Sequence, residues 1–402
     1  MVLNLILAAL AFLSLVLTLW QLFVALRFPL HHRVTDKSFT PPVTLLKPLK
    51  GADSETIHCL ESWLNQDYAG PRQVLFGVAA ADDPVCDLVR PLIAARPDCD
   101  AQLVICAESL GANSKVSTLV QLHRRSRHDV VIVSDADISV PPDFLTNAVA
   151  PLHDSGVGLV NCFYRLANAT TPAMQWEAVA VNADFWSQVL QSRCLKPLDF
   201  ALGAVMVAAR KQLEAAGGFE ALVDFLADDF QLGKRIARSG GRIVLSPVVV
   251  DCRESPKGWG EIWRHQLRWA RTIRVSRPLP YFFSVLNNST FWPLLWLVAG
   301  MPRVGDTSSS VSGATVSVVA TTGAPPKATF VLAIWLARIF TAMRLQSKLT
   351  RTHAHWAFFW LVPVKDLLSA AVWALSFLGN RVEWRGQRYR VRRGGQLLKE
   401  SG

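Results

Sequence analysis

Residues 1–26 carry no charged side chain, and Arg27 ends the run. As a helix this stretch is about 39 Å long, at ~1.5 Å per residue. The hydrocarbon core of a bilayer is only ~30 Å thick. A cleaved leader would have a shorter apolar centre and a basic start. Neither is found, so 1–27 reads as a retained transmembrane anchor, and everything downstream folds tethered to a membrane. His31, His32 and Arg33 follow Arg27. Basic residues mark the cytoplasmic ends of spans, which places 28–277 in the cytoplasm.

A second membrane region occupies 278–380. Residues 278–302 have no charge, although Asn287, Asn288, Ser289 and Thr290 interrupt them. Residues 328–343 are apolar apart from Arg338, and 356–379 apart from Lys365 and Asp366, with Pro363 beside them. Between the first two lies a Ser/Thr/Gly-rich stretch, Thr307–Gly323, that reads as a flexible loop of about 303–327. The tail, 381–402, holds Arg381, Arg385, Arg388, Arg390, Arg392 and Arg393. Three full crossings after residue 277 would put this basic tail outside, against the positive-inside rule. One segment must therefore fail to cross. The choice falls on 353–380, because a central charge costs about 2.5–3.5 kcal/mol on insertion scales.

The net charge of +11 sits largely on these membrane flanks. That placement points to anionic lipid headgroups, not to nucleic acid. The seven cysteines show no C-x-x-C spacing, so they read as reduced, packed thiols with no zinc site and no disulfide framework.

Between 42 and 250 short apolar runs alternate with helical patterns. Val43–Lys47, Gln73–Ala79, Ala101–Cys106, Val130–Ser134 and Gly158–Cys162 read as strands, and 54–66, 84–95, 113–127 and 142–153 as helices. Continuous apolar strands with intervening helices imply an α/β fold with a mixed, mostly parallel sheet covered on both faces. No G-x-G-x-x-G follows the first strand, which argues against a dinucleotide fold. Further on, Phe200–Ala208 is a strand candidate containing Gly203, and Arg210-Lys211 opens a short helix. Asp228-Asp229 precede a helical stretch, Phe230–Arg238. Acidic residues at a helix start also have a purely structural reason, the dipole.

Asp135-Ala136-Asp137 follows the strand Val130–Ser134. Carboxylates are the hard oxygen ligands that Mg²⁺ and Mn²⁺ prefer, usually shared with substrate phosphates. A plain turn leading to Pro141-Pro142 is the competing reading. Residues 259–277 form a basic amphipathic helix. Trp259, Ile262, Trp263, Leu267, Ala270 and Ile273 make one face, and Arg264, Arg268, Arg271 and Arg274 lie largely opposite. Such a helix suits a membrane interface, or else an ordinary core-packed surface.

Together these residues resemble the ceramide glucosyltransferases, glycosyltransferase family 21 of the GT-A group. The likeness runs from Val43 to Cys252 over 38–258, through the basic helix, and reappears as Trp384-Arg-Gly-Gln-Arg-Tyr-Arg390. Leu45-Leu-Lys-Pro-Leu-Lys-Gly51 is similar to the family's first-strand signature, and Gly111-Ala-Asn-Ser-Lys115 to its G-x-N-x-K turn. Asp83, Asp135 and Asp229 stand where the family has its three aspartates. Two departures stand out. His265-Gln-Leu-Arg268-Trp269 has a His where Gln or Arg is usual. Asp137 is present where animal ceramide enzymes tend to lack it, which looks more like bacterial members. Some of those are similar to hopanoid-pathway transferases of N-acetylglucosamine.

The resemblance implies an inner-membrane, multi-pass enzyme with a cytoplasmic catalytic domain. It would move glucose or N-acetylglucosamine from a UDP-sugar to the hydroxyl of a ceramide or hopanoid, with inversion. It implies Mg²⁺ or Mn²⁺ at Asp135 and Asp137, and a general base at Asp229 with Asp228 as the alternative. It also implies donor binding by Asp83, Lys115, Asp135, His265, Arg268 and Trp269. Gly203 and Arg210 are weaker candidates. A processive polysaccharide synthase and a transporter with a regulatory soluble domain are the rival functions. The first needs more membrane helices, and the second more ionisable residues within them.

Overall fold

The computed structural model describes residues 1–299, 326–384, 387–392 and 394–399. The expected loop Thr307–Gly323 and the tail residues Arg385, Gly386 and Arg393 lie outside them. The chain runs through α1 (Val2–Arg27), β1 (Val43–Pro48), α2 (Thr56–Leu64), β2 (Arg72–Val78), α3 (Val85–Ala94), β3 (Asp100–Ile105), α4 (Ser114–His123) and β4 (Val130–Ser134). It continues with β5 (Ile138–Ser139), α5 (Phe144–Val149), β6 (Val157–Leu166), α6 (Pro172–Val179), α7 (Trp186–Leu195), β7 (Val205–Ala209), α8 (Arg210–Ala215), α9 (Asp228–Arg238) and β8 (Arg242–Cys252). Then come α10 (Trp259–Ser276), α11 (Pro278–Phe283), α12 (Phe291–Val298), α13 (Pro326–Thr350), α14 (Leu361–Ser376), β9 (Arg381–Trp384), β10 (Gln387–Val391) and β11 (Leu397–Lys399).

Eight strands form one sheet in the order β3-β2-β1-β4-β7-β6-β8-β5. β3, β2, β1 and β4 are parallel; β7 is antiparallel to both β4 and β6; β6 and β8 are parallel; β5 is antiparallel to β8. Every residue of β1 and β4 is buried, as expected of central strands with helices on both faces. Thr44, buried in β1, satisfies its hydroxyl on Gln73 Oε1 of β2 (2.9 Å). Each predicted strand up to residue 162 is present within a few residues. Phe200–Ala208 is shifted: the strand is Val205–Ala209, and Gly203 lies in the approach to it. Asp228 and Asp229 sit inside the first turn of α9 instead of before it.

Among the described residues two helices, Val2–Arg27 and Lys327–Thr350, are long and apolar enough to cross a bilayer. They run parallel. Lys327 Nζ meets Asn4 Oδ1 (3.0 Å) at one end, and Lys348 Nζ meets the Leu26 carbonyl (2.5 Å) at the other. Residues 278–299 do not form the single helix expected. They break into α11, a 3₁₀ turn at Ser284–Asn287, and α12. The polar group at the break explains it. Asn287 Nδ2 donates to Gln21 Oε1 (3.1 Å), Ser289 Oγ to the Ser14 carbonyl (2.7 Å), and Thr290 Oγ1 to Asp366 (2.7 Å). The segment runs opposite to α1, from the level of Gln21 to that of Asn4, where Lys327 lies over Trp296 (5.3 Å).

α14 has 16 residues, about 24 Å, short of the bilayer core. Its two charges do not simply pair with each other. Arg338 of α13 makes forked bonds to Asp184 (3.0 and 2.8 Å) and to Asp366 (2.9 and 2.8 Å). Lys365 reaches the same two carboxylates. All four side chains are buried, two cations against two anions. Asp184 lies in a π-helical turn, Ala180–Phe185, that joins α6 to α7. Such widened turns re-aim side chains at functional positions.

The tail is not a loose basic arm. β9, β10 and β11 make an antiparallel sheet that seats on the loop before α9. Leu397 N donates to the Asp224 carbonyl (2.7 Å), Leu226 N to the Gly395 carbonyl (3.1 Å), and Gln231 Nε2 to the Gly394 carbonyl (2.6 Å). Leu226, Val382, Tyr389, Val391 and Leu397 bury a small apolar core between the two. Arg388, Arg390 and Arg392 remain exposed.

Candidate active site

Ligand sites in open α/β sheets lie beyond the carboxyl ends of the strands. Four loops meet there: those after β1, β2, β3 and β4. The loop after β4 carries Asp135-Ala136-Asp137. Lys47, fully buried at the end of β1, holds it from beneath. Its ammonium donates to the Asp135 carbonyl (2.6 Å), the Ile138 carbonyl (3.3 Å) and Ser134 Oγ (3.2 Å). Burial lowers the Lys47 pKa to about 8, partly opposed by Cys59, Asp137 and Asp135.

The Gly111–Lys115 turn follows β3. Asn113 caps α4, accepting from Val116 N (3.1 Å), and its amide donates to the Phe225 carbonyl (2.7 Å). Ala112 N donates to Asp224 Oδ1 (3.0 Å). A Cβ at Gly111 would sit 2.7 Å from the Val223 carbonyl, so this approach requires glycine. The turn and the loop before α9 are thus one unit. They aim Lys115 Nζ between Asp135 Oδ1 (2.7 Å) and Asp228 Oδ2 (3.1 Å). Burial opposes the Lys115 charge, but Asp135 and Asp228 outweigh it and hold the ammonium well above its usual pKa.

The remaining carboxylates differ from these paired ones. Burial, then the charges of Asp135 and Glu254, push Asp137 up to about 6; Cys252 Sγ donates to its Oδ2 (3.3 Å). Burial and the neighbouring Asp228 push Asp229 up to about 7. Asp229 Oδ1 accepts from Phe230 N (2.7 Å). Its Oδ2 lies where a Cβ on Gly203 would be only 2.8 Å away, so Gly203 makes room for the Asp229 carboxylate.

Asp83 is spent on backbone. Its Oδ1 accepts from Gly51 N (2.9 Å) and Val85 N (3.0 Å), which ties the loops after β1 and β2 together. Gly51 has φ +67°, in the left-handed region that favours glycine. Arg210 is not at this end of the sheet. Its guanidinium binds the Ser126 and His128 carbonyls (both 2.9 Å), beyond the opposite end of β4.

On α10, His265 Nδ1 lies 2.7 Å from Oε1 of Glu177. The His265 and Trp269 rings are 4.7 Å apart, and Trp269 meets Phe185 of the π turn at 6.0 Å. Arg268 is half-buried on the same helix. Glu177, Lys47 and Cys252 were not singled out from the sequence. Glu177 sits in the stretch 163–199, where no periodic pattern was read.

Among the described residues no three His, Cys, Asp or Glu side chains cluster as a closed metal cage. A closed cage is not what Mg²⁺ needs here. It keeps waters and substrate phosphates around one or two carboxylates. Asp135 and Asp137, two carboxylates on the one loop after β4, fit that donor set.

The fold and this cluster of carboxylates at the strand ends define a GT-A-like glycosyltransferase. The model of glycosyl transferase family 21 matches residues 5–397, and the chain belongs to that family. Ceramide glucosyltransferase 3 of Caenorhabditis elegans is 21% identical over 377 residues, covering 92% of this chain and 77% of that protein. An N-acetylglucosaminyltransferase of Bradyrhizobium diazoefficiens is 24% identical over 245 residues, 58% of this chain and 49% of that one. The mannosyltransferase PcManGT of Pyrobaculum calidifontis, solved with GDP-Man and Mn²⁺, has the same fold. Its TM-score is 0.53 at 22% identity, over 90% of this chain and 97% of that one.

Proposed function

We propose that the chain is a membrane-bound, inverting glycosyltransferase that moves a sugar from a UDP-sugar to a lipid hydroxyl. The acceptor is a ceramide or hopanoid, and the sugar glucose or N-acetylglucosamine. The carrying observation is the division of labour among four carboxylates. Asp135 and Asp228 share the ammonium of Lys115. Asp229 feels that ammonium only at longer range, and burial beside Asp228 pushes it up to about 7, where a general base works best. This favours Asp229 over Asp228 as the group that takes the proton of the attacking hydroxyl. Asp135 and Asp137 would hold a divalent cation, which supplies Lewis-acid neutralisation of the leaving diphosphate. Lys115 fixes Asp135 beneath it. Asp83 shapes the uridine side through the loops it joins, and Arg268 and Trp269 close the site from α10.

Incubation of membranes with UDP-glucose or UDP-N-acetylglucosamine and with ceramide or a hopanoid polyol tests this reading. UDP release that depends on the lipid is expected. Release without lipid, accompanied by a growing polysaccharide, would replace it with a synthase.

The parallel α1 and α13 also support a topology. The chain leaves the cytoplasmic end of α1, so 278–299 lead back toward the far side, from which α13 descends. α14 then enters to the depth of Arg338 and comes back. The contact of Arg274 with the Gly379 carbonyl (3.0 Å), at the level of α10, supports that return. Three crossings and one re-entrant segment keep the basic tail with the catalytic sheet. In a cysteine-free background, Arg392→Cys should resist a membrane-impermeant thiol reagent in intact cells and react after permeabilisation. Labelling of intact cells would show that α14 crosses.

A further inference from the structure

His265 lies on α10 against a buried carboxylate of α6, and its surroundings say what it can do. Glu177 is 2% exposed, and a single oxygen, Oε1, serves two neighbours on α10. Gln266 Nε2 donates to it at 2.7 Å, and His265 Nδ1 lies at 2.7 Å. Burial pushes the Glu177 pKa up, but the hydrogen bonds from His265 and Gln266 outweigh it and leave the group below its usual value. An ionised carboxylate can only accept, so His265 Nδ1 donates to it. Whenever the ring carries a single proton, the lone pair is therefore on Nε2. Among the described residues Nε2 has no hydrogen-bond partner, and the side chain is 26% exposed. Glu177 also lines a small recess with Leu166, Asn168, Met174, Cys252 and Glu254, and Cys252 donates to Asp137. Glu177 therefore shares that recess with the thiol that meets the Asp-x-Asp loop, and His265 sits beside it on α10, the helix that runs on into α11.

We propose that Glu177 is a positioning residue that locks His265 in the Nδ1–H form, so that Nε2 accepts a hydrogen bond from a hydroxyl of the lipid acceptor's head. This moves His265 from the donor side, where the resemblance put it, to the acceptor side. It rests on the lipid-acceptor reading above.

Two measurements on the full chain in nanodiscs test it. The first is ¹⁵N NMR of histidine-labelled protein, with the His265 signals assigned by loss in His265→Gln. The Nδ1–H pattern is expected in the wild type and weakened in Glu177→Gln. A wild-type Nε2–H pattern overturns the proposal. The second is kinetics. Glu177→Gln and His265→Leu should raise the acceptor KM roughly tenfold, the scale of one hydrogen bond, against an unmoved donor KM. His265→Gln, whose amide oxygen can accept, should stay within about threefold on that scale. An unmoved acceptor KM in His265→Leu, or a donor KM that rises in its place, overturns it. Absence of transfer to any lipid by the wild type would sink the lipid-acceptor reading, while the NMR experiment would still decide the tautomer lock.

Discussion

Asp229→Asn is expected to lower kcat by at least about a hundredfold while UDP still binds, the lower end of what a general base contributes. The amide keeps the shape and the hydrogen bond from Phe230 N but cannot take a proton. Asp229 is also the carboxylate for which Gly203 leaves space, so the isosteric change disturbs no packing. The wild-type kcat should rise with pH through about 7 as this group ionises, and that limb should vanish in the variant. Steady-state kinetics with a UDP-binding isotherm decide the matter. Lost UDP affinity with normal turnover at saturation would move Asp229 to the donor site. A larger loss from Asp228→Asn would mean that the Lys115-paired carboxylate is the base after all.

Asp135→Asn and Asp137→Asn should each cut turnover by roughly two orders of magnitude, the scale of removing one preorganised transition-state contact. EDTA should abolish activity, and Mg²⁺ or Mn²⁺ restore it. The two variants should still differ. Asp135 is one of two anions around Lys115, so its loss also frees that ammonium from its preferred position. Asp137 accepts from Cys252 and is no part of the Lys115 pair, so its variant should be the cleaner loss of metal affinity. Turnover unaffected by EDTA would remove the metal from the reaction.

The parallel half of the sheet was legible because its strands are buried on both faces and announce themselves as unbroken apolar runs. Val43–Lys47 and Val130–Ser134 are of this kind. The stretch from 163 to 199 was not legible. α6, the π turn and α7 place polar residues such as Glu177, Asn182 and Asp184 in the interior, where bonds to distant segments satisfy them. No local period records such partners. For the same reason no local pattern shows that Lys365 and Asp366 are shared with Arg338 and Asp184. At the site, spacing placed the carboxylates on the right loops. It could not reveal that Lys115 bridges two of them, because that depends on the Gly111 turn packing against Val223.

The seating of the tail on the loop before α9 has a consequence for biogenesis. Residues Gly394–Leu397 emerge from the ribosome only after every membrane element has been made. The loop they bind is the one that delivers Asp228 and Asp229 to Lys115. Until then the loop lacks the backbone contacts that the tail makes at Asp224 and Leu226. These are the last supports of the carboxylate cluster to be made during synthesis.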